Sequence, residues 1–276
     1  MRNDILKISL VVFFVISIVS CDSEEVTDQN SIEFLDNKEA ELIAKMDSGV
    51  EVLADLTLQA FEDEENTTKS ARERFLPDCA IVTVVLEDAY KKVTIDFGSE
   101  GCEGRNGHII KGKIHMNYKR DITAQSVMID YSLEDFFVDG AQLEGSKSIN
   151  RVRENENGNP ERTMILDLNF ILQDGSKISR TGTRTREWID GVLNGNWGDN
   201  VFLITGSWKT SFASGLVHTT TITTPIRREA SCRFAVSGVK EIIRSRFSGS
   251  LDYGDGTCDN KAMFTNSDGE KMEIRL

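Results

Sequence analysis

The sequence predicts a mainly β protein, an antiparallel meander that forms a curled sheet or an open barrel, with an N-terminal amphipathic helix. Apolar and polar residues alternate over segments of about ten residues, which is the period of strands with one buried face. Asp-Gly or Asn-Gly pairs, which tolerate the positive φ of two-residue hairpin turns, occur throughout the same region. No long run with helical period interrupts these segments after residue 75.

Two segments show the alternation most clearly. One predicted strand face carries Val127, Ile129, Tyr131, Leu133 and Phe137, and another carries Met164, Leu166, Leu168, Phe170 and Leu172. These strands are long and consecutive, which favours a broad curled sheet over a compact two-sheet sandwich. We therefore assign residues 75–276 to one antiparallel β domain.

The N-terminus has the pattern of a lipoprotein signal peptide at residues 1–20. Two basic residues precede an apolar run over residues 8–19, which is short for a membrane span. The run ends in Ile18-Val19-Ser20-Cys21, which resembles the lipobox of bacterial lipoproteins. The resemblance implies that Cys21 carries a diacylglycerol and an acylated amine, typically with palmitate, and so anchors the chain in a membrane. The alternative is an ordinary secretory signal with a chance cysteine.

Residues 21–35 are predicted to be a lipidated tether, because they are polar and acidic. Asp22-Ser23-Glu24-Glu25 resembles the acidic export signal of surface lipoproteins in the Bacteroidota. The resemblance implies an outer-membrane lipoprotein exposed at the cell surface. The alternative is a lipoprotein that faces the periplasm.

Residues 36–74 are predicted to form a helical segment followed by a charged connector. Asp36 and Glu39 have the spacing of a capping box, and Gly49 is expected to weaken or split the helix. An apolar stripe at helical spacing consists of Leu42, Met46, Val50, Leu53 and Phe61. We expect this stripe to pack against the β domain, and the alternative is a docking face for a partner.

Residues 94–102 and 250–258 share one pattern: a hydroxyl residue, an aliphatic residue, Asp, an aromatic residue, Gly, three further residues and Cys. We interpret each copy as a strand that ends in a turn, where Asp96 or Asp252 accepts hydrogen bonds from backbone amides. A less favoured interpretation is a calcium site in the second copy, formed by Asp252, Asp255 and Asp259.

Four cysteines remain once Cys21 is assigned to lipid, and an even number in an exported chain predicts disulfides. Among the three possible pairings we favour Cys79–Cys102 and Cys232–Cys258. Their separations of 23 and 26 residues are similar and repeat with the motif.

The layout as a whole resembles a family of uncharacterised surface lipoproteins of the Bacteroidota. The resemblance rests on the lipobox, on Cys79 and Cys102, on Ile95-Asp96-Phe97-Gly98 and Gly112-Lys113-Ile114, and on the closing stretch from Asp252 to Asn260. It covers most of the mature chain and implies neither an activity nor functional residues.

The composition disfavours several functions. The formal net charge of −13 makes nucleic acid an unsuitable partner. The three histidines, His108, His115 and His218, are not spaced as metal ligands, and the sequence contains no phosphate loop or nucleophile elbow. We predict no cofactor and no catalytic residues, although the many carboxylates leave a hydrolase open.

One strand carries the strongest binding signal. Arg180, Arg184, Arg186 and Trp188 share one face of it and could hold an anionic ligand such as an acidic glycan. The alternative is a solvated sheet face, neutralised by carboxylates on neighbouring strands, with Trp188 in the core.

Three functions follow, in order of preference. The first is a non-catalytic, lipid-anchored surface module that binds a glycan or protein or has a structural role. The second is a carrier that holds a lipid or another apolar ligand in a concave sheet covered by the helix. The third is an envelope hydrolase that uses carboxylates.

Overall fold

The computed structural model describes residues 37–65, 76–121, 123–244 and 247–276. The predicted signal peptide, the tether with Cys21, Asp36 of the predicted capping box and residues 66–74 of the predicted connector lie outside the described residues. One long helix, α1 (Asn37–Glu65), precedes fourteen strands within the described ranges. The prediction of a mainly antiparallel β fold with an N-terminal helix is confirmed.

The strands follow one another along the sheet in almost strict sequence order. They are β1 (Ile81–Glu87), β2 (Tyr90–Asp96), β3 (Cys102–Glu103), β4 (Ile109–Lys119), β5 (Ser126–Val138), β6 (Ala141–Val152), β7 (Glu161–Ile171), β8 (Lys177–Asp190), β9 (Val201–Ser211), β10 (Val217–Glu229), β11 (Ala235–Arg244), β12 (Phe247–Asp255), β13 (Lys261–Asn266) and β14 (Lys271–Arg275). Every pairing is antiparallel, and only the short β3 lies off the main path, paired with β4. β1 and β14 form the two edges and do not pair with each other, so the described sheet does not close.

Helix α1 lies against the concave face of this sheet and is enclosed by it on several sides. Leu53 belongs to the large apolar cluster built on β2 to β9, whereas Leu58 packs with Trp188 and Phe202 in a separate cluster. Ile43, near the start of the helix, joins a third cluster that includes Phe264. A helix that buries residues in three apolar clusters is integral to the core, so the predicted stripe packs on its own domain.

Gly49 does not split the helix, contrary to the prediction. A β-carbon at this position would lie 3.3 Å from Phe170 Cε1 and 3.5 Å from Leu143 Cδ2. The glycine therefore lets the helix backbone approach the side chains of β6 and β7 closely. Its cost in helix propensity, about 1 kcal/mol, is offset by burial of the surrounding apolar residues.

A bulge in β5 corrects the predicted alternation. The pairing of β5 with β6 shifts between Ser132 and Phe136, so Phe136 is fully buried and Phe137 is only half-buried. Gly112 on β4 lies against this irregularity, because a β-carbon there would be 1.9 Å from the Asp135 carbonyl oxygen. An extra residue in one strand moves the following side chains to the other face.

The two repeated motifs contain equivalent turns. Gly98 donates its backbone N–H to Asp96 Oδ1 at 2.8 Å, and Gly254 donates to Asp252 Oδ1 at 2.9 Å. β2 ends at Asp96 as predicted, but β12 continues through Asp252 to Asp255, so the second copy does not end its strand. Gly254 instead lies within β12, at a bulge where the pairing of β11 with β12 shifts its register.

Both favoured disulfides are present. Cys79 is joined to Cys102, with Cα atoms 5.7 Å apart, and Cys232 is joined to Cys258, with Cα atoms 5.8 Å apart. The first ties the segment before β1 to β3, and the second ties the β10–β11 connection to the loop after β12. The covalent links therefore lie toward the two ends of the sheet.

Candidate functional site

A row of carboxylates on α1 faces a row of cations on the concave sheet face. Asp47, Glu51, Asp55 and Glu62 are spaced by four, four and seven residues, which places them on one side of the helix. The cations lie on β6, β7, β8, β10 and β11, and they are Arg151, Arg162, Arg180, Arg184, Arg186, Arg228 and Lys240. We call these two facing rows the ionic seam.

Most cations of the seam are neutralised by the helix. Arg180 Nη1 lies 2.7 Å from Asp47 Oδ1, and Lys240 contacts the other oxygen of the same carboxylate. Arg186 Nη1 lies 2.6 Å from Asp55 Oδ1, and the partner of Arg184 is Glu51.

The seam continues toward the C-terminal end of the helix. Glu62 Oε1 lies 3.1 Å from Arg162 Nη2 and 3.5 Å from Arg151 Nη2. Beyond it, Glu65 Oε1 accepts a hydrogen bond from Tyr118 at 2.8 Å and lies 2.9 Å from Lys91 Nζ. The helix is thus held by charged contacts along most of its length.

The burial of the arginine stripe contradicts the interpretation of a solvated sheet face, whereas the expected placement of Trp188 in the core is confirmed. Arg180, Arg184 and Arg186 are buried, with Arg180 only 1% exposed, so the stripe is not a solvated face. Its main counter-ions come from the helix rather than from neighbouring strands. Trp188, on the same face, is buried and packs on Phe202, so it is not available to stack on a glycan at the surface.

Protonation in the seam is set by burial and by close opposite charges. Burial alone would raise the pKa of Asp47, but Lys240 and Arg180 outweigh it and hold that pKa well below its usual range. Burial would lower the pKa of Lys240, yet Asp47 and Tyr253 keep it raised. Burial lowers the pKa of Arg184 to about 10. Asp47 is therefore ionised at neutral pH and unsuited to act as a general acid.

A cavity of about 580 Å³ opens beside the N-terminal half of α1. One wall is the helix, from Ala44 to Glu51, and the opposite wall is formed mainly by β8 to β12. The apolar part of the lining includes Val138, Ile204, Trp208, Ile226, Phe234 and Leu276, and the charged part includes Asp47, Glu51, Arg184, Arg228 and Lys240. The volume lies in the range of small-molecule sites, about 300–1,000 Å³.

Close backbone approach shapes the aromatic wall of this cavity. Gly182 on β8 pairs with Trp208 on β9, and a β-carbon on Gly182 would lie 2.7 Å from Trp208 Cβ. The Trp208 ring then lies beneath two guanidinium groups, 5.3 Å from Arg180 and 5.8 Å from Arg184. Such cation–π contacts fix the arginines over an apolar floor.

A smaller cavity of about 430 Å³ lies at the C-terminal end of α1, lined by residues that include Glu62, Tyr118 and Arg151. Two of its charged residues, Glu62 and Arg151, belong to an ion pair already described. The first cavity is larger and combines an extended apolar wall with several buried cations, so it is the better candidate site.

The residues proposed as a calcium site take part in separate turns. Asp252 accepts from the Gly254 amide, Asp255 from Thr257, and Asp259 from the Lys261 amide at 3.0 Å. Among the residues that the structure describes, no group of three or more His, Cys, Asp or Glu side chains could hold a metal ion.

One constellation on the convex face was missed by the sequence analysis. Thr94 Oγ1 lies 3.1 Å from His115 Nδ1, and His115 Nε2 lies 3.0 Å from Glu134 Oε2. A hydroxyl, an imidazole and a carboxylate in line resemble a nucleophile–base–orienter set. However, β2 and β4 are each paired on both sides, so their amides serve the sheet ladder and are not free to stabilise an oxyanion. The geometry therefore does not support acyl transfer.

The other two histidines are buried and packed. His108 Nδ1 lies 2.8 Å from Asp139 Oδ2, and burial lowers the pKa of His108 despite that carboxylate. His218 packs on Phe212 with ring centroids 4.9 Å apart.

Comparisons with protein-family models, with curated proteins and with solved structures find no match for this chain. No helix within the described ranges has the length and apolarity to cross a membrane.

Sequence reasoning identified the arginines of β8 but not their partners. The spacing of Asp47, Glu51 and Asp55 was a readable signal, because acidic residues four apart lie on one helix face. Arg228 and Lys240 carried no comparable signal, since each lies on a different strand and reaches the site only through the strand order.

Proposed function

We propose that the protein is a lipid-anchored lipoprotein of the outer membrane, exposed at the cell surface, which binds a small ligand without converting it. The observation that carries the binding role is the cavity of about 580 Å³ between α1 and the concave sheet face. It has a preformed apolar wall and a few convergent charged groups, the usual composition of a small-molecule site. The lipobox ending at Cys21 and the acidic Ser23-Glu24-Glu25 support the anchor and the location.

The other two functions receive less support from the geometry. A carrier for a wholly apolar ligand needs a continuous apolar hollow, but α1 itself fills most of the concave face. A carboxylate hydrolase needs two carboxylates that face each other across a substrate. Asp47 and Glu51 lie side by side on one helix and are paired with cations.

The binding role is tested by filling the cavity. Ala44 is half-buried on the helix wall, so Ala44→Trp places a large side chain in the cavity. The matched control is Ile165→Trp, because Ile165 is 42% exposed on β7 and does not line the cavity. Each variant is incubated with a small-molecule extract of the native cell envelope, repurified and analysed by native mass spectrometry.

We expect wild type and Ile165→Trp to retain the same small molecule and Ala44→Trp to lose it. Retention by all three proteins would place the bound molecule elsewhere. If none retains a molecule, the cavity has no ligand in that extract and the proposed binding role is rejected.

A further inference from the structure

We infer that the cavity binds an amphiphile with one anionic head group, a phosphate or carboxylate, which Arg228 recognises while the apolar body lies along the apolar lining, which includes Trp208, Phe234 and Leu276. This inference rests on the proposed binding function and names the class of its ligand. It starts from a charge imbalance inside the seam.

The cations around the part of α1 from Asp47 to Asp55 outnumber the carboxylates. Five buried cations belong to the sheet there, Arg180, Arg184, Arg186, Arg228 and Lys240. The helix supplies three carboxylates, Asp47, Glu51 and Asp55, to this part of the seam. Buried charges are costly unless they are paired, so a surplus of positive charge in a cavity attracts an anion.

Arg228 is the one of these five cations that has no direct carboxylate partner among the described residues, and the charge of Asp55 acts on it only from beyond ion-pair distance. Its side chain lines the cavity and the residue is 3% exposed, yet no carboxylate of the described chain lies within ion-pair distance of it. Nη1 donates to the carbonyl oxygens of Glu229, Cys232 and Phe234. Nε and Nη2 make no hydrogen bond to the residues that the structure describes. These are the two nitrogens with which a guanidinium binds an oxyanion in bidentate fashion.

The surroundings of Arg228 favour an anion with an apolar body over a free anion. Ile226 lies two residues before Arg228 on β10, and both side chains line the same wall of the cavity. Ile204 on β9 is the cross-strand partner of Ile226. Trp208 extends the same wall. Phe234 and Leu276 also line the cavity and are only half-buried. An inorganic anion would leave their apolar surface in contact with water, whereas an amphiphile buries it at about 25 cal/mol per Å².

The inference is tested with four probes on the purified protein, by isothermal titration calorimetry below the micelle concentration. The probes are dodecyl phosphate, dodecanoate, dodecanol and inorganic phosphate. The variant is Arg228→Met, and the control is Arg227→Met. Arg227 is the preceding residue, points to the opposite face, is paired with Glu229 and does not line the cavity.

We expect dodecyl phosphate and dodecanoate to bind wild type at one molecule per chain. Arg228→Met should lower the affinity for both probes by about 10- to 100-fold, because one charge-assisted contact is lost. Arg227→Met should lower it by less than about twofold. Dodecanol should bind more weakly and be insensitive to Arg228→Met.

A second variant keeps the test decisive if Arg228→Met does not fold, because Nη1 also holds the β10–β11 connection. Ser48 lines the cavity from the helix, so Ser48→Glu introduces a competing carboxylate, and Ser48→Gln is its neutral control. Ser48→Glu should bind dodecyl phosphate with an affinity more than about tenfold lower than that of Ser48→Gln.

Three outcomes would overturn the inference. Equal binding of dodecanol and dodecyl phosphate would remove the head-group role and leave the cavity function intact. Inorganic phosphate that binds as tightly as dodecyl phosphate would show a free-anion site. If none of the four probes binds while Ala44→Trp still abolishes retention of an envelope molecule, the ligand belongs to another class.

Discussion

Asp47 Oδ1 lies 2.7 Å from Arg180 Nη1, although 133 residues separate the two side chains in sequence. The other oxygen of Asp47 contacts Lys240, so one helix carboxylate neutralises two buried cations of the sheet. This contact joins the N-terminal helix to β8 and β11. It also forms one wall of the candidate site, because Asp47 and Lys240 both line the cavity.

Replacing Asp47 with Asn should destabilise the protein strongly. The substitution keeps the shape of the side chain but leaves Arg180 and Lys240 buried without their carboxylate, which costs about 3–5 kcal/mol. Urea denaturation at neutral pH measures the change. The control is Glu144→Gln, which removes an exposed pair with Lys177 at 3.6 Å and should cost less than about 1 kcal/mol. Similar decreases in the unfolding free energy of both variants would show that the buried ion pair stabilises the protein no more than the exposed one.

The same carboxylate should make the stability of the wild type decrease in acid. The folded protein holds the pKa of Asp47 below its ordinary value of 3.8, so the unfolded chain binds the proton more readily. The contribution of Asp47 is therefore fully present above about pH 5 and is lost as the pH falls below about 4. The difference in unfolding free energy between wild type and Asp47→Asn should narrow over that range. A difference that stays constant from neutral pH to about pH 2 would contradict the assignment.

The sequence predicted the strands from their alternation of apolar and polar residues, and the meander from the hairpin turns between them. It did not determine the strand order or whether the sheet closes. It failed where one residue changed the geometry. The bulge near Asp135 places Phe136 in the core instead of the predicted Phe137. Gly112 on β4 leaves the space that the bulge needs. The candidate site was less predictable, since Arg228, Lys240 and Asp47 meet only after β8 to β11 are aligned and the helix is placed on them.

The two disulfides should contribute similarly to stability. They close loops of 23 and 26 residues, and the loop-closure model gives about 3–4 kcal/mol for each. The paired replacements Cys79→Ser with Cys102→Ser, and Cys232→Ser with Cys258→Ser, should therefore lower the unfolding free energy by comparable amounts. Peptide mapping of the wild type without reductant provides the check on connectivity. Peptides that join Cys79 to Cys232 or Cys258 would refute the pairing.

The lipid anchor is expected to depend on Cys21 alone. Cys21→Ser removes the thiol that the lipobox presents for modification, so the protein should carry no lipid. Metabolic labelling with a fatty-acid probe measures the modification, and Ser20→Ala is a control that preserves a small residue before the cysteine. A labelled Cys21→Ser protein would show that the acyl group is attached elsewhere.

Asp96 and Asp252 should contribute similarly to stability, because each accepts one amide hydrogen bond in an equivalent turn and the exposed contact of Asp96 with Lys113 at 4.0 Å adds little. Both bonds are exposed to solvent, so Asp96→Ala and Asp252→Ala should each cost about 0.5–1.5 kcal/mol, the range for a single hydrogen bond. Chemical denaturation with and without a calcium chelator measures both effects. Because the Asp252, Asp255 and Asp259 carboxylates each serve their own turn, the chelator should leave the wild-type midpoint unchanged. A calcium-dependent rise in stability that Asp252→Ala abolishes, and Asp96→Ala does not, would contradict the turn interpretation and indicate a metal site.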